Sequence, residues 1–324
     1  MASTASTGSR WPSWINISAR ELLLIIGVIV ITAGISIGSH GNFWNDSNLT
    51  NLMINTAITL VPAIGMTVII LTGGIDVSVG SMLGLVAVAG GTAFEHGVGL
   101  AAATPVFLVA GAILGFVNGA LITYGRVPPV IATLGTLSVY RAAAFIFLGN
   151  HWITMIPPSV TQVMVLTQPL GIPIAVWIAL VLIALCMVFL ARLPRGRHIF
   201  AIGNNENAAR LNGIPVERIK LAAYTLTGVL VGVAALMSLG HSPMVQTTTG
   251  TGFELTVIAA VVLGGTELTG GRGSLLGTLL GAILVGLVQN GVVLLHIQPF
   301  WSGVVLGVII LVSVGSATVR RAAD

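Results

Sequence analysis

Charge is what this 324-residue sequence has least of: 7% of its residues are charged, nine acidic and thirteen basic, against 55% hydrophobic. A soluble domain carries about 25% charged residues, because charge covers its wetted surface. So few charges cannot cover a water-soluble globule of this length, but they suffice for the loops of a chain whose outer surface is lipid. Lysine is nearly absent. Lys220 stands alone in Arg218-Ile219-Lys220-Leu221, with no glycine loop before it and no G-x-x-x-x-G-K-[ST] anywhere. A nucleotide-hydrolysing site needs backbone amides and a lysine to hold phosphates, so this chain supplies none. Cysteine occurs once, as Cys186 inside the apolar run 175–190, which excludes an internal disulfide and a cysteine metal site and suits a small buried apolar residue. The six histidines are isolated, with no His-x-x-x-His pair. No catalytic residue, metal site or cofactor is expected. The pI of about 10.0 accompanies a net charge of only +4 spread over several loops, which is no basic stripe and implies no nucleic-acid partner.

What is there is a series of apolar runs. A helix needs about 20 apolar residues to cross the hydrocarbon. Candidate runs lie near 21–38, 52–72, 77–94, 99–124, 129–148, 173–191, 219–240, 253–265, 272–295 and 299–317, the third, eighth and tenth giving the weakest signals. The fold expected is all-α, a polytopic membrane protein of about ten transmembrane helices. With the N-terminus in the cytoplasm and sides alternating, twelve of the thirteen basic residues fall inside, Arg141 being the exception, while Asp46, Glu95 and Glu254 fall outside. Loop Lys/Arg bias sets orientation, so both termini are read as cytoplasmic. Residues 1–20 form a cytoplasmic tail, 21–317 the membrane domain and 318–324 a second cytoplasmic tail. The first apolar run reads as a retained span and not as a signal peptide. All six tryptophans lie near span ends, where aromatic belts form.

The sequence also echoes itself. Gly73-Gly74-Ile75-Asp76 precedes Gly80-Ser81-Met82-Leu83-Gly84, and Gly264-Gly265-Thr266-Glu267 precedes Gly273-Ser274-Leu275-Leu276-Gly277. Asn118-Gly119 before Pro128 is matched more loosely by Asn290-Gly291 before Pro299. Two weakly related halves are therefore expected, parallel if both glycine motifs face the cytoplasm and inverted if one segment is re-entrant. Glycine-interrupted apolar segments at matching places mark the pathway of many transporters.

The one sizeable basic loop is 192–218. Within it, residues 203–215 read as a short helix, capped by Asn204 or Asn205, with Glu206 in its first turn and Gly213 then Pro215 ending it. Ala208, Ala209 and Leu211 give it an apolar surface too short to be stable alone in water. It is either a docking element for another protein or an ordinary capped turn between two spans.

The Glu-x-Ala-Ala-x-x-x-Gly pattern of Glu206–Gly213 resembles the coupling-helix motif of ABC importer permeases. Three further stretches resemble the ribose-type sugar permeases: Leu71-Thr72-Gly73-Gly74-Ile75-Asp76-Val77-Ser78-Val79-Gly80-Ser81; Ile131-Ala132-Thr133-Leu134-Gly135-Thr136-Leu137 with Tyr140-Arg141; and Gly250-Thr251-Gly252-Phe253-Glu254-Leu255 through Gly264-Gly265. Order and spacing match over about residues 50–315. Glu267 departs from the pattern, standing where such permeases more often have a neutral residue. The resemblance implies a non-catalytic channel in the bacterial inner membrane, paired with a second copy or a paralogue and surrounded by membrane lipid. A cytoplasmic ATP-binding-cassette ATPase would grip it at Asn205, Glu206, Ala208, Ala209, Arg210 and Gly213, and a periplasmic sugar-binding protein would deliver the sugar substrate. The competing reading is an ion-coupled secondary transporter of a small polar solute, coupled through Asp76 and Glu267, which leaves the 192–218 loop unexplained.

Ionisable or polar residues at membrane depth are functional candidates. Gly73, Gly74, Asp76, Asn118, Arg141, Glu254 and Asn290 are the pathway candidates. Each has a plainer alternative. Asp76 can be an N-cap for the helix that follows, Arg141 can pair with an acid or snorkel outward, and Asn118, Gln289 and Asn290 can stitch helices together. Glu254 is placed at the external mouth, touching sugar or binding protein or capping a short span.

Overall fold

The computed structural model describes residues 19–149, 151–298, 300–305, 307, 308 and 311. Its helices are α1 Ala19–Gly38, α2 Asp46–Leu71, α3 Val79–Glu95, α4 Leu100–Thr123, α5 Pro129–Leu148, α6 Pro158–Thr161, α7 Ile174–Arg192, α8 Pro194–Asn204, α9 Glu206–Leu211, α10 Val216–His241, α11 Phe253–Leu263 and α12 Leu275–Leu294. The fold is all-α; among the described residues the one β feature is an isolated antiparallel bridge between Ile153 and Val245. Among the described residues seven helices are long and apolar enough to cross a membrane: α1, α2, α4, α5, α7, α10 and α12. The third and eighth apolar runs became the shorter helices α3 and α11. The expected ten spans are therefore seven full-length helices and two short ones, with the run 299–317 only partly within the described residues. Residues 1–18 and 318–324 of the expected tails, with Arg10, Trp11, Trp14, Arg320 and Arg321, lie outside them, as do Asn150 and Pro299, while Ala19 and Arg20 open α1.

At the centre stands α2, in which every residue from Ala57 to Leu71 is buried. A helix that is apolar all round belongs in a core. It packs against α7, α10, α11 and α12, while α1 closes over α12 on the outside. The closest pairing is α4 on α10. There Gly111-x-x-x-Gly115 meets Gly228-x-x-x-Gly232, and a Cβ on Gly111 would strike the Gly228 carbonyl. Lipid tails are as apolar as leucine, so close backbone contact and dispersion hold membrane helices together. Gly111→Leu is expected to force these helices apart at a cost of about 1–3 kcal/mol or more. The measurement is detergent size-exclusion chromatography, where loss of the monodisperse peak is expected; an unchanged peak and melting temperature would contradict the tight crossing.

Where α2 ends, Gly73 takes a left-handed φ of 80° and the chain runs non-helically to α3. The second glycine motif does the same after α11, with Gly265 at φ 92°. The two motifs then meet: Gly271 N–H donates to the Leu71 carbonyl at 3.0 Å, and a Cβ on Gly270 would lie 2.9 Å from Gly73 N.

Candidate functional site

Three polar clusters punctuate the apolar bundle. The first sits in the break between α2 and α3. Asp76 is fully buried and accepts hydrogen bonds from Ser78 N–H at 2.9 Å, Ser78 Oγ at 2.6 Å and Asn118 Nδ2 at 3.1 Å. Asn118, also at 0% exposure, donates again to Ser78 Oγ at 2.7 Å and accepts from the Tyr140 hydroxyl at 3.1 Å. The Thr133 and Tyr224 hydroxyls reach the Ile75 carbonyl, each at 3.4 Å. Three helices, α4, α5 and α10, thus gather polar side chains around the glycine break, and those of α5 and α10 reach its backbone. Irregular backbone survives at membrane depth only where protein or a water-filled cavity surrounds it. Gly74 is glycine for a contact reason: a Cβ there would lie 2.5 Å from the Tyr224 hydroxyl.

The second cluster surrounds the segment between α10 and α11. Residues 242–252 fold back into the bundle as turns, and Arg141, midway along α5, serves them. Its Nη1 donates to the Thr249 carbonyl at 2.7 Å and to that of Thr247 at 3.5 Å, with Glu254 within electrostatic reach. Arg141 is therefore turned inward onto carbonyls instead of outward to the interface. Glu254 opens α11, whose 11 residues rise about 16 Å to an end that lies beside the Leu71 end of α2. Glu254 Oε2 is buried without a hydrogen-bond partner and packs against Gly80, where a Cβ would collide with it.

Asn290 belongs to neither cluster. It exchanges hydrogen bonds with Asn48 at 2.7 and 3.4 Å, tying α12 to the first turn of α2. Gln289 reaches the Thr256 hydroxyl at 3.4 Å. Both stitch helices.

The third cluster is the 192–218 loop, which holds two helices where one was expected. The α8 helix buries Gly196, Ile199 and Ile202 and delivers the chain into α9. The cap is Asn205 and not Asn204: Asn205 Oδ1 accepts from Ala208 N–H at 2.9 Å, whereas Asn204 Nδ2 donates to the Phe200 carbonyl. Ala209 is buried in a small core with Ile202 and Val216, and Gly213 closes the helix with φ 76°. Lys220, the lone lysine, donates to Glu206 Oε2 at 2.5 Å, and Arg210 bridges Glu206 at 2.8 Å and Glu217. Burial acts to raise the Glu206 pKa, but the hydrogen bonds from Lys220 and Arg210 outweigh it and hold this carboxyl below the usual glutamate range. Ala208 and Leu211 face out, Leu211 with 89% of its surface exposed. The apolar surface expected on this helix is thus divided: Ala209 holds the module together and Leu211 is presented outward.

The protein-family comparison matches residues 48–314 to the model described as branched-chain amino acid transport system / permease component. The ribose import permease protein RbsC of Escherichia coli strain K12 is 34% identical over 322 residues, covering 97% of this chain and 98% of its own. The autoinducer 2 import system permease protein LsrC of Yersinia pseudotuberculosis is 34% identical over 296 residues, 90% of this chain and 83% of its own. This chain is a member of that permease family. No solved structure matches the permease significantly. The matched region contains all three polar clusters, and the four motifs quoted from the sequence supply many of their residues: Asp76 and Ser78 to the first, Arg141 and Glu254 to the second, Glu206 and Arg210 to the third. Sequence reading missed Tyr224 as a member of the Asp76 cluster, since nothing local links residues 148 positions apart. It also missed Thr249, whose carbonyl and not its side chain meets Arg141.

Proposed function

We propose that this permease is the membrane subunit of an ATP-binding-cassette importer that carries a monosaccharide, ribose or a related furanose-like sugar, across the bacterial inner membrane. The observation that carries the reading is α9: a six-residue helix, far too short to stand alone in water, capped and ion-paired into a rigid module that holds Leu211 out to solvent. Such a knob fits a groove on another protein. The relatives' names support the sugar class, and the lack of a phosphate-binding loop in the sequence supports ATP hydrolysis on a separate cytoplasmic subunit. In this reading residues 21–317 are the membrane domain, 192–218 its cytoplasmic loop, and 1–20 and 318–324 cytoplasmic tails, the first ending in the opening residues of α1. The membrane domain comprises about ten crossing or re-entrant segments in two related halves. A second copy or a paralogue completes the channel, and a periplasmic sugar-binding protein feeds it.

Asn205, Glu206, Ala208, Arg210 and Gly213 shape or present the ATPase contact, with Ala209 as their internal support. Arg141 and Glu254 flank the sugar's route, while Gly73, Gly74, Asp76, Asn118 and Asn290 set the geometry of the segments that line it. The test is uptake in proteoliposomes. Labelled ribose should enter only with the ATPase, ATP and sugar-loaded binding protein all present. Uptake by the permease alone, driven by a proton or sodium gradient, would replace this reading with an ion-coupled one.

A further inference from the structure

The segment 242–271 makes contacts that the reading above does not use. It leaves the outer end of α10 and reaches the inner end of α2, so it crosses the bundle as eleven non-helical residues followed by α11 and the second glycine turn. At its outer end, Val245 and Ile153 exchange both backbone hydrogen bonds, at 2.8 and 3.1 Å, and both side chains are fully buried. Ile153 belongs to the outer loop 151–173. Half-way down, the segment lies backbone against backbone on α3: a Cβ on Gly250 would strike the Gly80 carbonyl and approach Gly84 N to 3.3 Å. At its inner end, Gly271 N–H donates to the Leu71 carbonyl at 3.0 Å. Gly203, two residues before the α9 cap, fits into the same junction; a Cβ there would overlap both the Leu71 carbonyl and Gly271 N.

We propose that residues 242–271 form a strap that transmits the state of the outer loop to the α8–α9 module, with Ile153–Val245 as its outer tether and Leu71–Gly271–Gly203 as its inner one. Backbone contacts carry displacement better than side-chain contacts, because no rotamer can absorb the movement. Arg141 stiffens the non-helical part by holding two of its carbonyls. A binding protein seated on the outer loop would thereby act on the helix that meets the ATPase, and nucleotide binding inside would act back on the outer loop with the same coupling free energy. Gly203 is a positioning residue in this scheme, placed beside the ATPase contact and not in it.

The inference rests on the ATPase-coupled reading, and the experiment separates the two. The permease is reconstituted in nanodiscs with its ATPase, and hydrolysis is measured with and without sugar-loaded binding protein. If wild-type permease fails to assemble with the ATPase, the functional reading itself fails. With assembly intact, Gly203→Ala is expected to keep basal hydrolysis within about twofold and lose binding-protein stimulation at least about fivefold. The companion protein is Ile153→Cys/Val245→Cys on a Cys186→Ala background, because residues that exchange both hydrogen bonds have Cα atoms about 5.5 Å apart, within disulfide range. If the outer tether stays closed through the cycle, oxidising this pair leaves at least about half of the stimulation. Normal stimulation in Gly203→Ala, or stimulation abolished by oxidation and restored by reductant, overturns the strap. Should Gly203→Ala fail to fold, the comparison of oxidised with reduced protein decides alone.

Discussion

Leu211→Asp is expected to weaken association with the ATPase subunit at least about tenfold, because a buried apolar anchor at the centre of a contact carries a large share of its energy. The permease itself should keep its wild-type melting temperature, since Leu211 is 89% exposed and supports nothing within the chain. Ala209→Asp should behave in the opposite way. Ala209 is 4% exposed beside Ile202 and Val216, and an uncompensated charge there costs about 3–5 kcal/mol. That is enough to unfold α9 from the bundle and lower the yield of folded protein. Co-purification with the ATPase and thermal denaturation of the permease alone, run on both variants, give a crossed pattern. If Leu211→Asp co-purifies at wild-type yield, the outward face of α9 is not where the ATPase sits.

Asp76→Ala is the second large effect. The substitution leaves the Ser78 amide, the Ser78 hydroxyl and one Asn118 donor facing a void at 0% exposure. Each buried unsatisfied group costs about 1–3 kcal/mol, so a total loss of about 3 kcal/mol or more is expected as a fall in melting temperature. Asp76→Asn keeps one oxygen to accept from Ser78 and is expected to retain most stability and most ATP-driven uptake. This pair of variants separates the two roles the sequence left open for Asp76. If Asp76→Asn is stable yet inactive in uptake, the negative charge itself takes part in transport and the turn-forming role is insufficient.

Much of the fold was legible because a lipid solvent enforces simple rules. The apolar runs located α1, α4, α5 and α7 closely, and turn chemistry found α9 between Asn205 and Gly213. Less legible were the short helices. The run 77–94 covers α3 nearly residue for residue, but the similar-looking run 253–265 is a half-length helix preceded by eleven non-helical residues. Hydropathy reports that a residue can sit in lipid and not whether its backbone is helical there. The site followed the same division. Asp76, Asn118, Arg141 and Glu254 were all marked by being polar in apolar surroundings, yet their pairing into separate clusters, with Asn290 in neither, depended on which helices face each other.

The sequence by itself determined that this chain lives in a membrane and that a capped helix lies between Asn205 and Gly213. Those follow from composition and local spacing, where each residue's preference is independent of the rest of the chain. Only the tertiary structure decided that Ala209 faces in and Leu211 out, that Arg141 holds the carbonyls of Thr247 and Thr249, and that both glycine motifs meet at Gly203. Ala209 meets Ile202 and Val216 only because the chain turns between three short-range elements, the other contacts join residues tens to hundreds of positions apart, and the one at Gly203 is fixed by how closely glycine lets backbones approach.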